Sequence, residues 1–133
     1  MLLFLSVGLA QDIVTLTVQL DGVDPDRGES VYCALFDAAA GFPQNVAMAQ
    51  GRAMGERVDG ALACQFAVAR GSYAISVLHD EDGDQELDTG LMGIPREGWG
   101  ASNNARPAFR APTFDEARVD VGGDLVTRVT LNY

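Results

Sequence analysis

A chain of 133 residues, 47% of them hydrophobic and with 15 Gly and 5 Pro, is long enough for one core, too short for two of ordinary size, and unlike a disordered tail. Its net charge of −10, from 9 Lys and Arg against 19 Asp and Glu, repels phosphate backbones and anionic lipid. Nucleic-acid and membrane-surface roles fall back, and metal cations and basic ligands remain as partners.

The opening "MLLFLSVGLA" is apolar from Leu2 to Ala10 apart from Ser6, too short to span a bilayer. It has the character of the apolar region of a secretory signal. Gly8 and Ala10 supply the small residues before a cleavage point, although the usual basic residues are missing. The expectation is residues 1–10 as the remnant of a signal peptide, export to the periplasm or beyond, and one domain over 11–133. The alternative is a buried first strand.

"IVTLTVQL" (13–20) puts Val14, Leu16, Val18 and Leu20 on one face and polar residues on the other, the period of a half-buried strand. The turn "DGVDPDRG" follows, and "SVYCALF" (30–36), apolar on both faces, reads as a more central strand. Residues 37–50, Ala-rich with Gly41 and Pro43, allow a short helical turn near Pro43. "RAMGERV" (52–58) reads as a weak edge strand. "ALACQFAVA" (61–69) alternates again, and after Gly71 "SYAISVLH" (72–79) returns. Residues 89–113 show no period. "FDEARVDV" (114–121), a "GGD" turn and "LVTRVTLNY" (125–133) predict a terminal hairpin. About seven short strands joined by tight turns predict an all-β antiparallel sandwich of immunoglobulin-like or transthyretin-like type.

Cys33 and Cys64 are not a close pair such as C-x-x-C, so neither a zinc site nor a thioredoxin-like site has support. Both fall on inward faces of their strands. In an oxidising compartment they can form one bridge worth about 3 kcal/mol; otherwise they are two small buried hydrophobes.

The stretch "HDEDGDQELD" (79–88) sets six carboxylates into nine positions without a Lys or Arg. Two such charges about 7 Å apart repel by roughly 0.6 kcal/mol even in water. Asp80, Asp82, Asp84, Glu86 and Asp88 stand at alternate positions, the spacing by which a short loop turns oxygen ligands toward a hard cation, calcium above all. The loop departs from an EF-hand. Gln85 stands where that loop needs Gly, Leu91 where a bidentate Glu should close the shell, and a strand precedes it. Further ligands would have to come from Glu97, Asn103 or Asn104. The competing readings are a solvated acidic turn and a catalytic carboxylate pair of the glycosidase kind.

His79, the single histidine, sits at a strand's end and reads either as a base beside Asp80 or as a packed, hydrogen-bonded residue. No G-x-S-x-G elbow occurs, so a catalytic triad is unsupported. In "GIPREGWGASNNARP" (93–107), Trp99 between two glycines can stack on a sugar or peptide, with Asn103, Asn104 and Arg106 as polar neighbours. The alternative has Trp99 folded over an open end of the sandwich and the Asn side chains capping turns.

The stretch "GSYAISVLHDEDGDQELDTGLMGIPREGWGASNNARP" resembles the core of a bacterial exported family catalogued as domain of unknown function 2141. "VYCALFDAAAGFP" and "APTFDEARVDV" extend the resemblance more loosely over most of the chain. It implies a small exported β-sandwich and no established activity. In that family Asn commonly stands at the position of Asp82 or Asp84, Gly at Gln85 and Tyr at Trp99. The expected function is a non-enzymatic exported sandwich with a calcium-stabilised acidic loop, in a binding or accessory role at the cell envelope. A carbohydrate- or small-ligand-binding module using the Trp99 loop is the alternative, and a hydrolase using loop carboxylates the third.

Overall fold

The structure, a computed structural model, describes residues 13–28, 30–80, 98–108 and 110–133. Residues 1–10, read as a signal remnant, lie outside them. Among the described residues, nine strands form two sheets: β1 (Ile13–Asp21), β2 (Val31–Phe36), β3 (Gly51–Met54), β4 (Glu56–Val58), β5 (Ala61–Ala69), β6 (Gly71–His79), β7 (Trp99–Ala101), β8 (Val119–Val121) and β9 (Leu125–Thr130). The first sheet has the order β4-β5-β1-β9; the second runs β3-β2-β6-β7, with β8 also on β6. The protein is therefore an all-β sandwich.

The alternating strands fold as their period predicts. Val14, Leu16, Val18 and Leu20 of β1 face Phe66 and Val68 of β5 and, from the second sheet, Val31, Leu35, Ile75 and Val77 in one buried cluster. A disulfide joins Cys33 of β2 to Cys64 of β5 across the two sheets, with Cα atoms 6.4 Å apart. β2 is covered on both sides, as its two-faced apolarity requires. Val31, Cys33 and Leu35 enter the main core, and Phe36 packs edge-on against Phe42 from the 37–50 loop, which in turn meets Phe114.

Three expectations are corrected. Nine strands stand among the described residues in place of about seven, because Trp99–Ala101 in the aperiodic segment pairs with β6 as β7 and because 51–58 divides at Gly55, whose N–H bonds Val31 O at 2.7 Å; β3 stays in the second sheet and β4 crosses to the first. No terminal hairpin forms. The sequence Thr113-x-x-Glu116 makes a capping box that turns Phe114–Ala117 into a short helix, α1, as reciprocal side-chain bonds to free N–H groups do. β8 then pairs with β6, and β9 runs parallel to β1, so the sandwich is antiparallel except at that pair. The helical turn expected near Pro43 is a single 3-10 turn at Val46–Met48.

β7 and β8 share one edge of β6 and leave a gap between them. Ser102, fully buried, fills it: its Oγ accepts from Ile75 N–H at 2.9 Å and donates to Ala117 O. One hydroxyl thus replaces the ladder bonds that a continuous strand would have supplied.

Candidate functional site

Two places hold the residues singled out by the sequence, and both lie along β6. The first is the end of the sandwich where β6 runs into the acidic stretch. His79 is fully buried. Its Nε2 lies 2.9 Å from Gly28 O and its Nδ1 2.6 Å from Tyr133 Oη. A carbonyl only accepts, so Nε2 carries the proton and Nδ1 accepts from the tyrosine hydroxyl. That hydroxyl also accepts from Asp24 N–H at 2.9 Å. The Arg27 guanidinium lies 4.7 Å over the Tyr133 ring and bonds Asp24 at 3.2 Å. Both nitrogens of His79 are thus engaged inside a packed cluster, the arrangement of a structural histidine.

Asp80 follows, buried at 5% exposure, with its N–H on Ser30 O at 2.8 Å. The first member of the acidic row is therefore anchored to the frame. Asp82, Asp84, Glu86, Asp88 and Glu97 lie outside the described residues. Among the described residues no group of three His, Cys, Asp or Glu side chains could hold a metal ion.

The second place is the outer face of the second sheet. Cross-strand register aligns Tyr32 of β2, Leu78 of β6 and Trp99 of β7 in one row. The next row on that face, Ala34 opposite Ser76, is small. Tall residues beside short ones leave a groove. Tyr32, Leu78 and Trp99 wall one side, Ala34 and Ser76 line its floor, and Pro43, Val46, Ala111 and Pro112 come from two covering loops. Arg52 and Gln44 also line it, and both are engaged within the protein. Its enclosed space is only about 30 Å³, room for about two waters, so a ligand would lie along it and not be enclosed as in a deep pocket.

Trp99 is half-buried, and its glycine neighbours have a physical reason. A Cβ on Gly98 would collide with the Tyr133 ring, and one on Gly100 would stand 2.6 Å from Val129 Cγ1. Both glycines let β7 press against the end of the first sheet. The Trp99 backbone exchanges bonds with Asn132 at 3.0 and 2.7 Å, closing the sandwich along that edge. Side chains alternate along a strand, so two inward glycines aim Trp99 outward, into the groove.

The neighbouring amides do not join it there. Asn103 Nδ2 donates to Glu116 O at 3.2 Å and Arg118 O at 2.8 Å. Asn104 Oδ1 accepts from Thr130 N–H at 2.9 Å. Both hold positive φ (61° and 51°), which Asn tolerates better than most residues. Arg106 is exposed and is not among the lining residues.

The wall made by Ala111 and Pro112 is braced by charge. Arg110 bonds both carboxylate oxygens of Glu116, at 2.8 and 2.9 Å. Glu116 also takes the Thr113 N–H at 2.9 Å. The Arg110 hydrogen bond, followed by the Thr113 backbone bond, lowers the Glu116 pKa to about 2, and the same pairing raises that of Arg110.

Sequence reasoning had no signal for Tyr32, Leu78 and Ser76 as partners of Trp99, because only the register of three strands brings them together. Tyr133 was likewise unmarked, 54 residues from His79.

The chain belongs to the family described as uncharacterised proteins conserved in bacteria, DUF2141, whose profile matches residues 18–129. No curated protein and no solved structure matches it.

Proposed function

We propose that this member of the family is an exported binding module, a disulfide-stapled sandwich that holds a small ligand in the groove beside Trp99 and performs no chemistry on it. The groove itself carries the reading. Three large apolar side chains stand in register next to a floor of Ala34 and Ser76, and predominantly apolar lining with a few polar groups is the usual composition of small-ligand sites. Export is supported by the apolar run at 2–10 and by Cys33–Cys64, since disulfides persist in oxidising compartments. A hydrolase using His79 would need a free ring nitrogen, and both are engaged.

Trp99 is the one tryptophan of the chain, so its fluorescence reports on the groove directly. Titration with monosaccharides, aromatic acids and alkyl acids should shift its emission for at least one class. Emission unmoved by every class, together with resistance to aqueous quenchers, refutes the reading.

A second reading, favoured by the buried and anchored Asp80, is that calcium holds the acidic row. Support for it comes from the alternate spacing of Asp80, Asp82, Asp84, Glu86 and Asp88. Melting the protein in calcium and in sodium at equal ionic strength tests it. Equivalence of the two ions, with no metal carried through purification, leaves a solvated acidic turn.

A further inference from the structure

We infer that the outer face of the first sheet is an interface between two copies of this chain, packed face to face about a two-fold axis that reverses the strands.

That face differs from the rest of the molecule in charge. With 19 Asp and Glu against 9 Lys and Arg, two copies repel at long range. Yet the outward positions from Ile13 to Gln19 on β1 and from Ala63 to Ala69 on β5 hold only Ile, Thr, Gln and Ala. Beside them β9 adds Val126, the register partner of Thr17. Ile13 and Val126, 59% and 60% exposed, are the barest large apolar side chains among the described residues. An uncharged centre with charges at its rim is the composition of an interface.

The rim points to a second copy as the occupant. Asp124 stands beside Thr15, whose N–H its Oδ1 accepts at 2.9 Å. Arg128 is the register partner of Gln19 and leans on Asp21 at 3.9 Å, with both side chains largely exposed. Asp124 and Arg128, opposite in sign, flank Val126 at equal steps along the chain. Consider a two-fold axis lying in the interface and crossing the strands at the row Gln65–Thr17–Val126. It sets Val126 on its own counterpart, and Asp124 of each copy against Arg128 of the other. A contact between identical faces must be self-complementary, and β9 carries that pattern. The short Thr and Ala side chains let two sheets approach to about 10 Å, within reach of the longer charged pair.

The face is small. Three strands over the uncharged stretch cover roughly 14 by 23 Å, a few hundred Å² per copy against about 800 Å² in a standard interface. The dimer is therefore weak and depends on concentration. It leaves both Trp99 grooves open, since they lie on the outer faces of the second sheets, turned away from each other.

Sedimentation equilibrium of the protein, over a concentration series reaching the millimolar range, should show a reversible monomer–dimer equilibrium. Asp124→Lys and Arg128→Glu should each weaken it by about tenfold or more, because each sets like charges across the axis. Mixing these two variants should restore a dimer, since every charged position then faces its opposite; that recovery also shows that both variants fold. Val126→Asp, which places two carboxylates on the axis, should abolish dimerisation at an exposed and tolerant position. A wild-type protein that stays monomeric throughout leaves the face to solvent or to a different partner and overturns the inference. A dimer that none of the three variants weakens, or variants that do not recover on mixing, overturns it as well.

Discussion

Replacing Ser102 by Ala should destabilise the protein far more than loss of one oxygen suggests. The hydroxyl is fully buried and serves two backbone groups that are themselves out of water, Ile75 N–H at 2.9 Å and Ala117 O. Removing it leaves both unmatched, and each such group costs about 1–3 kcal/mol. The void left by one oxygen is too small to seat a replacement water. The expected loss is about 3 kcal/mol, or about 10 °C in melting temperature for a domain of this size. Urea unfolding of Ser102→Ala beside Ser76→Ala measures it. Ser76 is only half-buried on the groove floor, and its truncation should stay within about 0.5 kcal/mol. Amide exchange at Ile75 should accelerate in Ser102→Ala alone. A loss below about 0.5 kcal/mol would refute the view that this hydroxyl joins β6, β7 and α1.

Other outcomes follow from the remaining contacts. Replacing Cys33 and Cys64 together by Ala should cost about 3–4 kcal/mol for a loop of 31 residues, and a non-reducing digest should yield one linked peptide pair. Tyr133→Phe removes the donor to His79 Nδ1 and the acceptor of Asp24 N–H; a loss of about 1–2 kcal/mol in a urea melt is expected. Glu116, with its pKa lowered from 4.5 to about 2, contributes stability that is present above 4.5 and lost as pH falls through about 2. Glu116→Gln should therefore flatten the decline of melting temperature between those pH values, and an unchanged slope would contradict the assignment. Calcium at a hundredfold excess over its Kd should add about 2.7 kcal/mol that sodium does not, and magnesium should add less. Asp82→Ala should abolish that difference and Glu81→Ala, out of step with the alternate positions, should leave it.

What could be read from the chain was the local pattern. Alternation placed Val14 through Leu20 and Cys64 through Val68 on inward faces without any knowledge of their partners, because the side-chain period of a strand is a local property. The inward positions of Cys33 and Cys64 followed from the same rule. Non-local pairing could not be read this way. Nothing near Leu125 announces a parallel partner in β1, and nothing near Ser102 announces a gap 27 residues away at Ile75. The hairpin expected at 114–133 failed on a signal that was present, since Thr113 and Glu116 have the spacing of a capping box. Trp99 was marked by composition, but its groove depends on the register of β2, β6 and β7, which no single segment encodes.

The central claim is that Trp99, which packs against the small buried cluster of Ala74, Ala101 and Ala117, also presents an open face to the groove and is not a fully packed core residue. The direct measurement is the unfolding free energy of Trp99→Ala in urea. Half-buried beside solvent, its truncation should cost about 1–2 kcal/mol and leave the fold intact. A loss of about 3–5 kcal/mol, the range for truncating a fully packed aromatic, would make Trp99 a core residue and contradict the claim.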